Sequence, residues 1–301
     1  MNPLVSIIIP TYNRAKDLKR ALESVFCQTY SNWEVCIVDN YSNDGTIKLI
    51  NSLNDSRLKL YRIRNNGVIG ASRNLGMENA NGKYISFLDS DDWWSSQKLE
   101  VSVEALENGA NVVYHDMLLV TKLNQKIFLR KARTRKLKTP VFNDLLIGGN
   151  AIITSSVVMN KEILNRIEGF QEKQNLIGIE DYDAWLRVAK ITDNFKKIPK
   201  TLGYYWSGGG NTSNPQRTIQ ILNVLEKNYQ NEISKLGAYQ CMYWFNYNRA
   251  RAFYILGLKE KARQGFNTAL AQHPTSLIKF KCMIMILVIS TKVYFEKKRK
   301  Y

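Results

Sequence analysis

The order of segments predicts an α/β fold, built on a mostly parallel sheet with helices on both faces. Three observations carry that prediction. Short apolar runs alternate with amphipathic stretches of helical period through the first half of the 301-residue chain. The runs are nearly continuous in Val and Ile, as in strands covered on both faces. The polar residues best suited to chemistry fall directly after those runs, where sheets of this kind bind ligands.

Val5–Pro10 opens the pattern as a strand. Its apolar run is short, lacks a basic leader and is stopped by proline, which separates it from a signal peptide. Ala15–Thr29 reads as a helix through Leu18, Leu22, Val25 and Phe26. Trp33–Asp39 is a strand, and Asp44–Leu53 is a helix capped by Asn43 or Asp44. Leu58–Ile63 is a strand, Ile69–Ala80 a helix and Tyr84–Asp89 a strand; Ser95–Asn108 is a helix with a serine cap, and Val112–His115 a strand. The period then breaks. Thr121–Thr139 holds eight Lys or Arg (Lys122, Lys126, Arg130, Lys131, Arg133, Arg135, Lys136, Lys138) and no acid. Ile152–Met159 reads as a further strand and Glu180–Lys190 as a helix, and the Trp-Ser-Gly-Gly-Gly-Asn run at 206–211 has the composition of a loop. From Thr218 onward the pattern is helical, with Ala250–Ala271 like one tetratricopeptide-type helix pair, too few for an array. The expected organisation is a sheet domain over 1–210 and a helical appendage over 211–301.

Composition narrows the function. Apolar residues are 45% and charged residues 23%, enough for a core and against wholesale disorder. The net charge of +17 points to a polyanion: nucleic acid, phosphates or an anionic membrane surface. The cysteines Cys27, Cys36, Cys241 and Cys282 form no CxxC pair, which argues against a zinc site or disulfide framework and for a reducing compartment. His115 and His273 are the only histidines, which disfavours His-rich metal sites. No GxGxxG follows the first strand, which excludes a dinucleotide oxidoreductase. No segment reaches the ~18 apolar residues of a spanning helix. The nearest, Cys282–Phe295, is preceded by Lys279 and Lys281 and followed by Glu296-Lys297-Lys298-Arg299-Lys300. It fits either a membrane-interface helix or a core helix with a solvated basic tail.

Two acidic clusters stand out. Phe87-Leu88-Asp89-Ser90-Asp91-Asp92-Trp93-Trp94 places three carboxylates in four residues at a strand end. Such crowding suits a hard divalent cation such as Mg²⁺ or Mn²⁺, which takes oxygen ligands, often one or two carboxylates plus substrate phosphates. The alternative is that Asp91 or Asp92 caps a helix starting near Trp93. In Gly178-Ile179-Glu180-Asp181, the two acids open an amphipathic helix. There an acid either caps the helix or stays ionised as a general base. Arg14 and Arg73 offer forks for phosphate. Pro10-Thr11-Tyr12-Asn13 and Val38-Asp39-Asn40 bring an aromatic face and an acid to neighbouring strand ends, the mixture a nucleobase needs.

Together these residues closely resemble glycosyltransferase family 2, inverting transferases with the Rossmann-like GT-A fold. The matching pieces run in family order: Val5 to Arg14, Ser24 to Tyr30, Ile37-Val38-Asp39, Asn66-Gly67 with Ala71 to Asn74, Phe87 to Asp92, and Glu180-Asp181, covering roughly residues 4–205. The resemblance implies that 1–210 is a nucleotide-sugar-binding and catalytic domain. In it Pro10, Thr11, Tyr12, Arg14 and Asp39 bind the nucleotide, with Thr11, Tyr12 and Asp39 on the uracil of a UDP-sugar. Arg73 contacts the nucleotide or its diphosphate, Asp89 the ribose or sugar, and Asp91 binds Mn²⁺ or Mg²⁺. Asp181 deprotonates the acceptor hydroxyl, with Glu180, Asp92 and Trp93 as supporting or acceptor-side residues. Two departures stand out: Asn40 occupies a position where many members carry a second Asp, and Ser207 with glycines replaces a loop that often holds histidine. The implied activity is metal-dependent transfer of a hexose or N-acetylhexosamine from a UDP-sugar, with GDP and dTDP donors also compatible, to a glycan acceptor, lipid-diphosphate-linked, in bacterial surface glycan synthesis. The basic stripe and the cationic C-terminal helix place such an enzyme in the cytoplasm, peripherally on the anionic inner membrane face. One rival is a basic RNA-binding protein, but the Thr121–Thr139 stripe has a single aromatic, Phe128, where a recognition module interleaves several, so no nucleic-acid partner is expected. The other is an inactive sugar-binding scaffold, against which Asp91 and Asp181 both argue.

Overall fold

The computed structural model describes residues 2–122, 124–125, 127–128, 130–132, 134–208, 214–237 and 242–298. Lys126, Arg133, Gly209, Gly210, Asn211, Cys241 and the side chains of the basic tail lie outside the described residues. The chain divides into two compact units, residues 1–142 with 151–210, and residues 143–150 with 211–301. Residues 143–150 thus group with the helical unit, where the sequence pattern placed them in the sheet domain.

The first unit follows the expected alternation: β1 (Val5–Thr11), α1 (Ala15–Phe26), β2 (Trp33–Asp39), α2 (Thr46–Leu53), β3 (Leu58–Arg62), α3 (Ile69–Glu78) and β4 (Tyr84–Phe87). Next come β5 (Trp93–Trp94), α4 (Lys98–Glu107), β6 (Val112–Val120) and β7 (Lys131–Ala132). After α5 (Val141–Gly148) the unit resumes with β8 (Val158–Asn160), α6 (Lys161–Arg166), α7 (Glu180–Ala189) and β9 (Phe195–Trp206). The sheet order is β3-β2-β1-β4-β8-β6-β9-β5, with β7 on β6. β1 pairs in parallel with β2 and β4, and β2 with β3. Beyond β4 the sheet is mixed, since β8 runs antiparallel to both β4 and β6.

Every residue of β1 and β2 is buried, so helices must cover both faces. Alternation along β1 shows how. Val5, Ile7 and Ile9 join Leu18, Leu22 and Val25 of α1 and Leu99 of α4 in one core. Ile8 points the other way, toward α3, where a Cβ on Gly76 would lie 2.6 Å from its Cγ2. Only a glycine lets α3 sit that close to the strand.

Four local expectations are corrected. Asp44 does not begin α2; its carboxylate accepts from the Thr46 and Ala15 amides just ahead of the helix. α4 has no serine side-chain cap and starts at Lys98, after Gln97. Ile152–Met159 is no single strand, because Thr154–Ser156 forms a 3-10 turn before β8. Trp93 starts a strand paired with Tyr204, not a helix, which removes the capping alternative for Asp91 and Asp92.

Two buried polar groups need explanation. Lys98 is fully buried; its ammonium nitrogen hydrogen-bonds the Ser86 hydroxyl and lies 3.7 Å from the Trp94 ring centre. Burial pushes its pKa well below the ordinary lysine range. His115 is also buried, and burial followed by Lys98 lowers it to about 3. Both are core groups, not catalysts.

The second unit contains α8 (Pro215–Asn228), α9 (Gln230–Lys235), α10 (Tyr243–Ile255), α11 (Lys259–Ala271) and α12 (Ser276–Lys298), with most of α5. α10 and α11 form the helix pair anticipated near Ala250–Ala271. A Cβ on Gly265 would meet that of Ala250 at 2.9 Å, and Ala250, Ala262, Phe266 and Ala269 are fully buried. The Trp244 ring lies directly against Gly149, whose φ is +79°.

Glu34 ties the sheet edge together. Its carboxylate accepts from the Ser6 hydroxyl at 2.6 Å, the Asn81 amide at 2.6 Å and the Lys59 ammonium at 2.6 Å. Burial alone would raise its pKa, but these donors win and hold it at about 2. A depressed carboxyl contributes stability above its unfolded value of 4.5, lost as pH falls toward 2. Glu34→Gln is therefore expected to destabilise by about 1–3 kcal/mol at neutral pH. It should also flatten the acid limb of stability between those two values, measured by urea unfolding across pH.

Candidate active site

The loops after β1, β2 and β3 turn sharply, with Asn13, Tyr41, Asn66 and Gly67 all at positive φ. Side chains lace the loops together. Asn13 accepts from the Asn43 amide and donates its own amide to Ser42, while Asn40 accepts from the Asn65 amide. The result is a cleft of about 430 Å³. Pro10, Thr11, Tyr12 and Arg14 form one wall; Asn40, Asn65, Gly67, Ile69 and Ser72 the second; Asp89, Ser90 and Asp91 the third. Tyr12 is 56% exposed, a free aromatic face, and the buried Thr11 hydroxyl has no partner. An unpartnered buried hydroxyl at a cleft wall is satisfied by a ligand or a water.

On the acidic wall the Arg14 guanidinium lies 3.2 Å from Asp91 and 3.2 Å from Asp17. Asp17 also pairs with Arg20, which donates to the Asp91 carbonyl at 2.9 Å. Burial, then the Asp89 charge, raises the Asp91 carboxyl to about 6 against the pull of Arg14. Asp92 is 1% exposed; one oxygen accepts from the Trp206 amide and the other has no partner. Burial with its acidic neighbours holds it well above the carboxylate range, so Asp92 anchors β9 and is not part of the cleft wall. Trp93 stacks on Tyr204 with ring centres 5.2 Å apart, and Arg20 lies 4.3 Å from the Trp93 ring centre.

Helix α7 joins this wall through one arginine. Arg73 is 3% exposed and spends its fork on two carboxylates, Asp89 at 2.9 Å and Glu180 at 2.8 Å. Burial disfavours its charge, but Asp89, Glu180 and Asp181 outweigh this and raise its pKa. Neither Arg73 nor Asp39 lines the cleft. The fully buried Asp39 takes the Ser42 amide at 3.1 Å and sits 3.4 Å from Arg62, setting the β2 loop. Glu180 also accepts from the Gly178 amide, so it fixes the entry to α7. Asp181, next in line, accepts from the Thr154 hydroxyl at 2.9 Å. Burial and then the Glu180 charge raise its carboxyl, opposed by Arg73.

Sequence reasoning missed the 154–156 turn. Ser155 accepts the Asp89 amide through its hydroxyl and the Trp94 indole through its carbonyl, and Thr154 holds Asp181. The available signal was a Thr-Ser-Ser triplet interrupting an apolar run. Arg20 and Asp17 were missed too, since they read as ordinary helix-surface charges.

The residues fit a divalent cation of hard character on one condition. No group of three metal-ligating side chains exists among the described residues. Asp91 is half-buried, reaches the cleft and has its charge opposed by its surroundings, which an added cation would relieve. One carboxylate is sufficient only if phosphate oxygens complete the shell, the usual arrangement for Mg²⁺.

Comparison with known proteins agrees with this geometry. Residues 6–168 match the family described as Glycosyl transferase family 2. The chain is 34% identical over 192 residues, 62% of its length, to the Escherichia coli UDP-Glc:alpha-D-GlcNAc-diphosphoundecaprenol beta-1,3-glucosyltransferase WfgD, and covers 70% of that protein. It is 32% identical over 228 residues, 73% of its length, to an uncharacterized glycosyltransferase of Rickettsia felis, of which it spans only 36%. Among solved structures, S. aureus TarS 1–349 in complex with UDP-GlcNAc superposes with a TM-score of 0.67 at 17% identity, covering 98% of this chain and 92% of that one. The sheet, the cleft beyond its strand ends and the match over more than half the chain lead to one conclusion: this chain belongs to glycosyltransferase family 2 and has the GT-A fold.

Proposed function

We propose that the chain is a metal-dependent, inverting transferase. In this reading it moves a hexose or N-acetylhexosamine from a UDP-sugar to a hydroxyl of a lipid-diphosphate-linked glycan, in surface polysaccharide synthesis on the inner membrane face. The observation that carries the reading is the buried Arg73, which joins the cleft residue Asp89 to the helix bearing Asp181. The printed activity of the Escherichia coli relative, with a UDP-sugar donor and a diphosphoundecaprenol acceptor, supports it.

Tyr12 stacks the base and the Thr11 hydroxyl gains its missing partner there. Asp39 acts from behind, holding the loop that frames the base. Asp91 would hold Mn²⁺ or Mg²⁺, whose positive charge, when bound, offsets the charge growing on the departing diphosphate. Arg14, 3.2 Å from the Asp91 carboxylate, would add a second positive charge there. The acceptor oxygen attacks the anomeric carbon from the face opposite the diphosphate, and the bond to the diphosphate breaks. The hydroxyl proton passes to Asp181. One displacement inverts the anomeric centre with no covalent enzyme intermediate. Arg73 is a positioning residue: it sets the distance between donor and base without touching either reacting atom.

Three results test this. A panel of UDP-sugars assayed for UDP release should show one donor turned over with Mn²⁺ or Mg²⁺, and Asp91→Ala and Asp181→Asn should each lose about 10²–10⁴-fold. Absence of nucleotide binding with either metal would overturn the reading in favour of a basic RNA-binding protein. Because a base must be ionised, the acid limb of kcat should lie above the ordinary Asp value of 3.8, read from a pH–rate profile. Arg73→Lys keeps the charge but not the fork; it should lower kcat by about 10²-fold while UDP affinity changes little, compared by calorimetry and steady-state rates.

A further inference from the structure

Both long faces of α12 are apolar, but only one is covered. Cys282 and Ile289 are fully buried, and Ile278 and Met285 pack beside them on the core of the second unit. On the opposite side Leu277, Phe280, Met283, Ile284 and Leu287 are 43–65% exposed. With 3.6 residues per turn these five fall in one continuous sector, about 15 Å long. Lys281 borders that sector on one side and Lys279 on the other, both exposed. No acidic residue occurs between Ser276 and Phe295, and the sequence adds Lys292, Lys297, Lys298, Arg299 and Lys300. No helix among the described residues is long and apolar enough to cross a membrane.

We propose that this outer sector of α12 is a lipid-docking surface, which seats along the interface of an anionic bilayer with Leu277, Phe280, Ile284 and Leu287 in the acyl boundary and the lysines at the headgroups. An apolar strip of this kind needs a cover, and the charge pattern decides which one. A second copy would set the two lysine borders against their own like, and the one carboxylate on the helix, Glu296, stands nine residues past Leu287, beyond the strip. An anionic lipid surface meets apolar strip and cationic borders together. The surface deepens the functional reading above by naming the face that meets the membrane, and its lipid-linked acceptor is what it takes from that reading.

The test is co-sedimentation of the full chain with vesicles of phosphatidylcholine alone and with about one-third phosphatidylglycerol. Binding should require the anionic lipid and weaken with salt. Phe280→Glu combined with Leu287→Glu should lower the partition coefficient by about tenfold or more. Lys279→Glu with Lys281→Glu should erase the preference for phosphatidylglycerol. All four positions are exposed, so circular dichroism and thermal unfolding should match the parent. The inference is overturned if the parent chain does not sediment with anionic vesicles, if the variants sediment as well as the parent, or if the parent is a dimer that Phe280→Glu and Leu287→Glu dissociate. Nucleotide binding and donor turnover are measured without vesicles, so an enzyme that turns over UDP-sugar yet ignores lipid would sink this inference alone.

Discussion

An arginine withdrawn from water is tolerable only where carboxylates answer its donors at close range, and Arg73 meets that condition twice. Its partners come from opposite sides of the site. Asp89 ends the wall beyond β4, and Glu180 opens α7. Asp181 follows Glu180 directly, so the position of the candidate base depends on a pair made one residue earlier. Gly178 and Thr154 complete the hold, one on each of the two acids. The cleft wall and the start of α7 are thus parts of one electrostatic unit, whose like charges would force it apart without the guanidinium between them.

The same logic governs the acidic wall. Asp89, Asp91 and Asp92 crowd within four residues, and each is handled differently. Asp89 is neutralised by Arg73, Asp91 faces Arg14 at the cleft, and Asp92 is buried with one oxygen on the Trp206 amide. Only the middle acid both reaches the cleft and keeps an environment that favours an added cation. Crowding of carboxylates is therefore less a metal site in itself than a division of labour among three positions.

Much of the sheet was legible because β1 and β2 are β-branched runs buried on both faces, and such runs allow few other readings. The mixed half was legible only at the start of β6, read as Val112–His115; β5 and β8 have two and three residues and owe their existence to distant partners. At the site, the acids and Tyr12 were readable from their place after strands. The commitments of Arg73 were not: nothing in Ala71-Ser72-Arg73-Asn74 tells that both arms of the fork close on residues from elsewhere in the chain. For Asp39 the place after β2 was readable, but the hold of its carboxylate on the Ser42 amide and Arg62 was not. Net charge was legible in amount but not in use, since it says nothing about which cations border an apolar strip.

The chain visits its second unit twice, first with residues 143–150 and again from 211 onward. Leu145 and Leu146 are fully buried, and Gly149 lies under the ring of Trp244. A ribosome releases that short apolar segment long before it makes the helix that covers it. During synthesis Gly149 must wait for Trp244 while β8, α7 and β9 are still being added, a window in which a holdase would find its target. Cutting the chain after β9 would make that window permanent, so the sheet unit is not separable by truncation at the visible boundary.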